Sequence, residues 1–180
     1  MTRYTKSKMD SEVCISSSNE IDQFRHCIED LLQSKDVLSM NQYIQHNSVT
    51  CLEHCIHVSY ISYRICKALR LDYRSAARGG LLHDLFLYDW HNHNQEGWHG
   101  FRHAKIALEN ATRLFLLNEI EKDIIEKHMW PLNRKMPRFS ETAVVVFVDK
   151  YCAVKETLIF GSDRSLSRLV KRTTDLEFSR

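Results

Sequence analysis

The sequence predicts an all-α protein, a bundle of about six to eight helices. Two observations carry that expectation. Apolar residues recur at the three-to-four-residue spacing of an amphipathic helix in one segment after another. Only 5 glycines and 2 prolines occur in 180 residues, too few to punctuate a many-turned β fold.

Taken in order, residues 1–18 are polar throughout and read as a loose arm. From Asn19, Ile21, Phe24, Ile28, Leu31 and Leu32 recur in helical phase, with serines before them available as caps. A second short helical segment is expected from about Val37 to His46. Between Cys51 and Leu69, the residues Val58, Ile61, Ile65 and Ala68 fall within about 40° of His54 on a helical wheel, which puts that histidine on the apolar stripe. Asp72 is a natural N-cap for a helix over Tyr73–Leu85, in which Ala76, Gly80 and His83 share a face narrow enough for close packing. From Gly100 to Phe115 the stripe is His103, Ala107, Ala111 and Leu114. Asn118 followed by Glu121 has the form of a capping box, opening a helix whose inward positions include Ile124 and His128, and Pro131 stops it. Ser140 can cap a last long helix to about Glu156, grouping Val145, Asp149 and Cys152. The valine-rich run Ala143–Val148 suits a buried strand on propensity alone, and its helical neighbours decide for helix. Gly161 opens a basic tail with Arg164, Arg168, Lys171 and Arg172, a helix or a loose end. The chain thus divides into an arm (1–18), one helical domain (19–160) and a tail (161–180).

Hydrophobic residues make up 43% and charged residues 27%, an ordinary globular balance, and the formal net charge of +2 makes no electrostatic case for a nucleic-acid or membrane partner. No apolar run is long enough to span a bilayer. The six cysteines, at 14, 27, 51, 55, 66 and 152, follow a polar N-terminus without a secretory segment, so reduced thiols in a cytoplasmic protein are expected. Cys51 and Cys55 flank His54 without CxxC spacing and read as packed thiols rather than zinc ligands.

The chemistry lies in a coincidence of phase. Five helices each place a histidine or an aspartate on the inward stripe. A single buried histidine needs only one good hydrogen bond, but burying this many ionisable groups without partners would cost several kcal/mol for each unpaired ion. A metal ion resolves the cost, because imidazoles donate lone pairs and carboxylates offset the cationic charge. His57 stands at the edge of the His54 face and competes with it as a ligand; His54, nearer the stripe's centre, is preferred. His91, His93 and His99 belong to a polar loop before His103.

In order along the chain stand Glu53-His54-Cys55-Ile56-His57-Val58, Leu81-Leu82-His83-Asp84, His103-Ala104, Ile125-Glu126-Lys127-His128 and Val148-Asp149-Lys150. This pattern resembles the HD superfamily of metal-dependent phosphohydrolases, whose signature is H…HD…D in a bundle of helices. The likeness spans roughly residues 45–157. It implies His54, His83, Asp84 and Asp149 as ligands of one metal, with His103 and His128 added for a binuclear centre that Asp84 bridges. It further implies hydrolysis of a phosphate ester of a small molecule or nucleotide by a metal-activated hydroxide, with Asp84 as the catalytic carboxylate. One or two divalent or transition-metal ions (iron, manganese, magnesium, zinc, cobalt or nickel) would serve. The same ligand set also suits the family's binuclear-iron oxygenases, or a regulatory module without turnover. Several branches carry a glycine and a phosphate-binding lysine after HD; here Leu85 and Phe86 follow, and there is no GYP motif. Phosphate anchoring is therefore assigned to Arg78 and Lys150, with Arg102, Arg134, Lys135 and Arg138 as further candidates.

Overall fold

In a computed structural model, residues 19–46, 48–86, 99–158 and 164–174 are described. The arm, the serines proposed as its caps, and His91 and His93 lie outside them. Helix α1 covers residues 19–32, followed by α2 (Lys35–Ser39), a 3-10 turn (Met40–Gln42), strands β1 (Ile44–His46) and β2 (Val49–Thr50), α3 (Cys51–Ala68), α4 (Tyr73–Leu82), α5 (His99–Leu114), α6 (Glu119–Lys127), α7 (Ser140–Leu158) and α8 (Arg164–Thr174). The class is all-α, as expected, with one small antiparallel pairing that sets Ile44 opposite Thr50. The expected helix to His46 therefore stops early, and its last residues form β1 instead.

The starts of these helices follow from short-range chemistry. Thr50 and Glu53 form a reciprocal capping box at α3, Asn118 and Glu121 form one at α6, and the Asp72 side chain accepts from the Ser75 N–H at α4. Ser140 is already inside α7, where Ala143 N–H donates to the Phe139 carbonyl, so the cap falls one residue earlier than expected.

Helix α3 is the hub, packing against α4, α7 and α8, while α6 joins α4, α5 and α7. Phe24 of α1 meets Tyr60 of α3 edge-to-face at 5.1 Å. Every residue from Ser75 to Phe86 is buried, so α4 runs through the interior. Two glycines make that possible. A Cβ on Gly79 would lie 2.8 Å from Ile124 Cδ1, and one on Gly80 would lie 3.0 Å from Ser59 Cα. Helix α7 is apolar on both sides: Val145 and Val148 enter the core, while Phe147, Tyr151, Val154 and Leu158 are exposed. This all-round character explains the strand-like reading of its valine run. The basic tail is a helix whose Leu166, Leu169 and Val170 join the main core cluster. Ala68, expected on the inward stripe of α3, is exposed.

Candidate metal centre

The six histidines and aspartates reach one region from five helices. His54 projects from the second turn of α3, and His103 and Asp149 from α5 and α7. His83 and His128 occupy the C-cap positions of α4 and α6, and Asp84 follows His83 in the turn. None of the six is more than 9% exposed, so each must find its partners inside the protein.

They form two adjoining groups. His54, His83 and Asp149 make one, and Asp84, His103 and His128 the other, each with ligand atoms within 4.8 Å of one another. In the first, Asp149 Oδ1 lies 3.2 Å from His54 Nε2 and 3.6 Å from His83 Nε2. In the second, Asp84 Oδ1 lies 3.5 Å from His103 Nε2 and 3.4 Å from His128 Nε2, and the two Nε2 atoms are 2.9 Å apart. The other oxygen, Asp84 Oδ2, is 3.4 Å from His83 Nε2. Asp84 thus turns one oxygen toward each group.

Whether these residues fit metal ions is decided by the far side of each ring. His83 Nδ1 is 2.8 Å from the Gly80 carbonyl and His128 Nδ1 is 2.9 Å from the Ile125 carbonyl. His54 Nδ1 is 2.7 Å from Glu156 Oε2. A carbonyl or carboxylate only accepts, so Nδ1 carries the hydrogen and donates in all three rings. The Nε2 lone pair of the neutral imidazole is then left facing the centre. Moreover, His83 Nε2 and Asp84 Oδ1 are buried without a hydrogen-bond partner. Orphaned polar atoms are costly in a protein interior, and a cation would satisfy both. The donor set fits.

The ionisation balance points the same way. Burial pushes the Asp84 carboxyl upward, but His83, His128 and His103 outweigh it and hold it far below the usual carboxylate range. Asp149 is likewise held well down: burial pushes it upward, and the neighbouring His54 and His83 outweigh that. Burial lowers His54 and His83, yet their acidic neighbours raise both above the ordinary histidine value. Protons and a metal ion would compete for the Nε2 atoms of His54 and His83.

Two contributors escaped the sequence reading. Gln45 Nε2, on β1, donates to Asp84 Oδ2 at 2.7 Å. Glu156, on α7, accepts from both His54 Nδ1 and His57 Nδ1, the latter at 2.9 Å. The signal for Glu156 was available, since it lies seven residues after Asp149 on the same stripe; for Gln45 there was none. His57 is buried rather than peripheral, and with Cys152 and Glu156 it makes a third group of ligand-type atoms. That group reads as support: both Glu156 oxygens are already committed, and burial beside Glu156 and Asp149 pushes the Cys152 thiol up, keeping it protonated.

Arg78 departs from its expected place. Its Nε donates to Glu121 Oε1 at 2.7 Å and its Nη1 to Asp30 Oδ1, so the buried guanidinium ties α4 to α6 and α1 instead of awaiting a phosphate. Lys150 stays at the centre, with Nζ donating to the His128 carbonyl at 3.0 Å and lying 4.0 Å from Asp149 Oδ2. Lys135 pairs with Glu126, Arg138 lies over the Phe139 ring, and Arg134 is exposed; the side chain of Arg102 lies outside the described residues. The five described cysteines are free and buried.

Fold and site together define a helical bundle built around a buried histidine–aspartate centre. The HD domain matches residues 51–154, more than half of the chain, and the chain belongs to that family. HD domains are metal-dependent phosphohydrolases as a family, and they bind divalent metals. No curated protein and no solved structure matches the chain. Among the described residues no helix is long and apolar enough to cross a membrane.

Proposed function

We propose that this chain hydrolyses a phosphate ester of a small molecule or nucleotide, with His54, His83, Asp84, His103, His128 and Asp149 holding two divalent ions. The observation that carries the reading is Asp84, whose two oxygens face different histidine groups. Bound ions would supply Lewis acidity toward the phosphoryl oxygens and a lowered pKa for water. The residues do the rest. Asp84 and Asp149 concentrate negative charge between the imidazoles, where they would hold bound cations. Gln45 holds Asp84 in that orientation. Lys150, with its side chain 43% exposed, offers an ammonium to an incoming phosphate at the edge of the cluster.

The test is metal content and turnover of Asp84→Ala, Asp149→Ala and His128→Ala side by side, on a panel of phosphorylated metabolites. Asp84→Ala is expected to lose both ions and all activity, because its removal takes a ligand from each. The other two lose a terminal ligand that water partly replaces, and they retain one ion. Asp84→Ala with both metals and near-normal turnover would overturn the reading. So would oxygen consumption by the iron-loaded chain without phosphate release.

A further inference from the structure

Four buried side-chain nitrogen or oxygen atoms lack a hydrogen-bond partner among the described residues. Ser62 Oγ, in α3, is one; the others, Gln45 Oε1, Asp84 Oδ1 and His83 Nε2, belong to residues in mutual contact. Gln45 Nε2 donates to Asp84 Oδ2 at 2.7 Å, and the same Oδ2 lies 3.4 Å from His83 Nε2. The strand that carries Gln45 packs on α3 and α7, the helices of His54 and Asp149. A carboxylate oxygen only accepts, so the amide must give its nitrogen to Asp84 and turn its oxygen elsewhere. Two bonds of about 1.2 and 1.3 Å part that oxygen from the nitrogen, which keeps Oε1 within about 5 Å of Asp84 Oδ2. The bond to Asp84 also polarises the amide, making Oε1 the stronger acceptor. Buried and unpartnered, it costs about 1–3 kcal/mol. A hydrogen on the molecule that occupies the centre would remove that cost.

We propose that Gln45 Oε1 recognises a hydrogen-bearing phosphoryl oxygen, accepting from the P–O–H of hydrogen phosphate and from the same O–H as it enters in the attacking hydroxide. This rests on the phosphohydrolase reading above and names the atom by which the site tells phosphate from other tetrahedral oxyanions. In ester hydrolysis the incoming hydroxide keeps its hydrogen. Its oxygen forms the new bond to phosphorus, the ester P–O bond breaks, and the leaving alkoxide takes a proton from water. An acceptor that holds that hydrogen turns the oxygen's lone pair toward phosphorus. Sulfate matches hydrogen phosphate in shape and charge but carries no hydrogen near neutral pH. Against sulfate, Oε1 would stay unpaired, and a site built to pair a hydroxyl rejects the analogue that lacks it.

Inorganic phosphate and sulfate are the probes, titrated calorimetrically near neutral pH into the manganese-loaded chain, with metal content measured for each variant. The parent is expected to bind phosphate about tenfold or more tightly than sulfate. Gln45→Met keeps the length of the side chain without its polar atoms and is expected to bring the two affinities close together. Gln45→Lys keeps a donor for Asp84 but has no acceptor, and it is expected to lose the same preference. A role confined to holding Asp84 would weaken both anions alike in Gln45→Met and leave their ratio unchanged. Equal binding of the two anions by the loaded parent overturns the inference while leaving the phosphohydrolase reading intact. So does a preference for phosphate that survives in either variant. A chain that takes up no divalent ion overturns both.

Discussion

Glu156→Gln isolates the support that the bundle gives to its centre. The glutamate bonds His54 Nδ1 at 2.7 Å through one oxygen and His57 Nδ1 at 2.9 Å through the other, and it is 6% exposed. Glutamine keeps the shape but has one acceptor oxygen instead of two and no charge, so one histidine loses its acceptor. A charge-assisted bond of this kind is worth about 1.5–3 kcal/mol. Loss of a carboxylate partner behind a metal-ligating histidine costs about 10–100-fold in metal affinity, or about 1.4–2.7 kcal/mol, and the two figures agree. The assay is competition against a chromophoric chelator for the parent chain, Glu156→Gln and His57→Gln. The last leaves the His54–Glu156 bond intact and is expected to change affinity by less than about threefold. Unchanged affinity in Glu156→Gln, with its melting temperature also unchanged, would refute the role assigned to Glu156.

Three further outcomes follow from the geometry. Arg78→Ala strands the buried Glu121 carboxylate and is expected to destabilise the fold by about 3 kcal/mol, with turnover per folded molecule retained; unchanged stability with lost turnover would return Arg78 to the substrate. Gly80→Ala presses a methyl onto the Ser59 backbone at 3.0 Å and is expected to cost about 1–3 kcal/mol in chemical denaturation, so a neutral result would contradict the close α3–α4 packing. Glu156 is held down to about 2, against an ordinary 4.5, by His54 and His57 despite burial that raises it. Its folded-state pKa is depressed, so its stabilisation is complete above about 4.5 and disappears as pH falls from about 4.5 through about 2. Urea midpoints of the metal-free chain should fall across that window, and Glu156→Gln should flatten the dependence.

What could be read from the sequence was local. The phase of a histidine on its own helix depends on the residues within two turns, and the caps at Asp72 and Asn118 depend on three. The inward placement of His54, His83, His103, His128 and Asp149 therefore emerged without knowledge of the tertiary fold. Partners far apart in sequence did not. Arg78 looked like an anion-binding cation because its carboxylates lie 43 and 48 residues away. Gln45 reaches Asp84 across 39 residues from a strand three residues long, in a segment whose spacing suggested a helix. Tail helix α8 shows the same limit. Its charges dominate its sequence, while its three core residues, Leu166, Leu169 and Val170, find their neighbours only in the folded bundle.

The centre and the helix ends are one arrangement. The last carbonyls of any α-helix lack intrahelical donors and must be satisfied elsewhere. Helices α4 and α6 both terminate at a histidine in the C-cap position, and in both the ring Nδ1–H donates to the carbonyl three residues earlier, Gly80 in one and Ile125 in the other. The same bond satisfies an otherwise unpaired carbonyl, fixes the tautomer and turns Nε2 toward Asp84. A helix continuing through either histidine would occupy that carbonyl with a backbone N–H and leave the imidazole without its anchor. The termination of α4 at Leu82 also carries Asp84 out of the helix, free to face both histidine groups. Adjacency of His83 and Asp84 is thus useful because the helix ends there: one residue caps the helix and the next stands between the two halves of the centre.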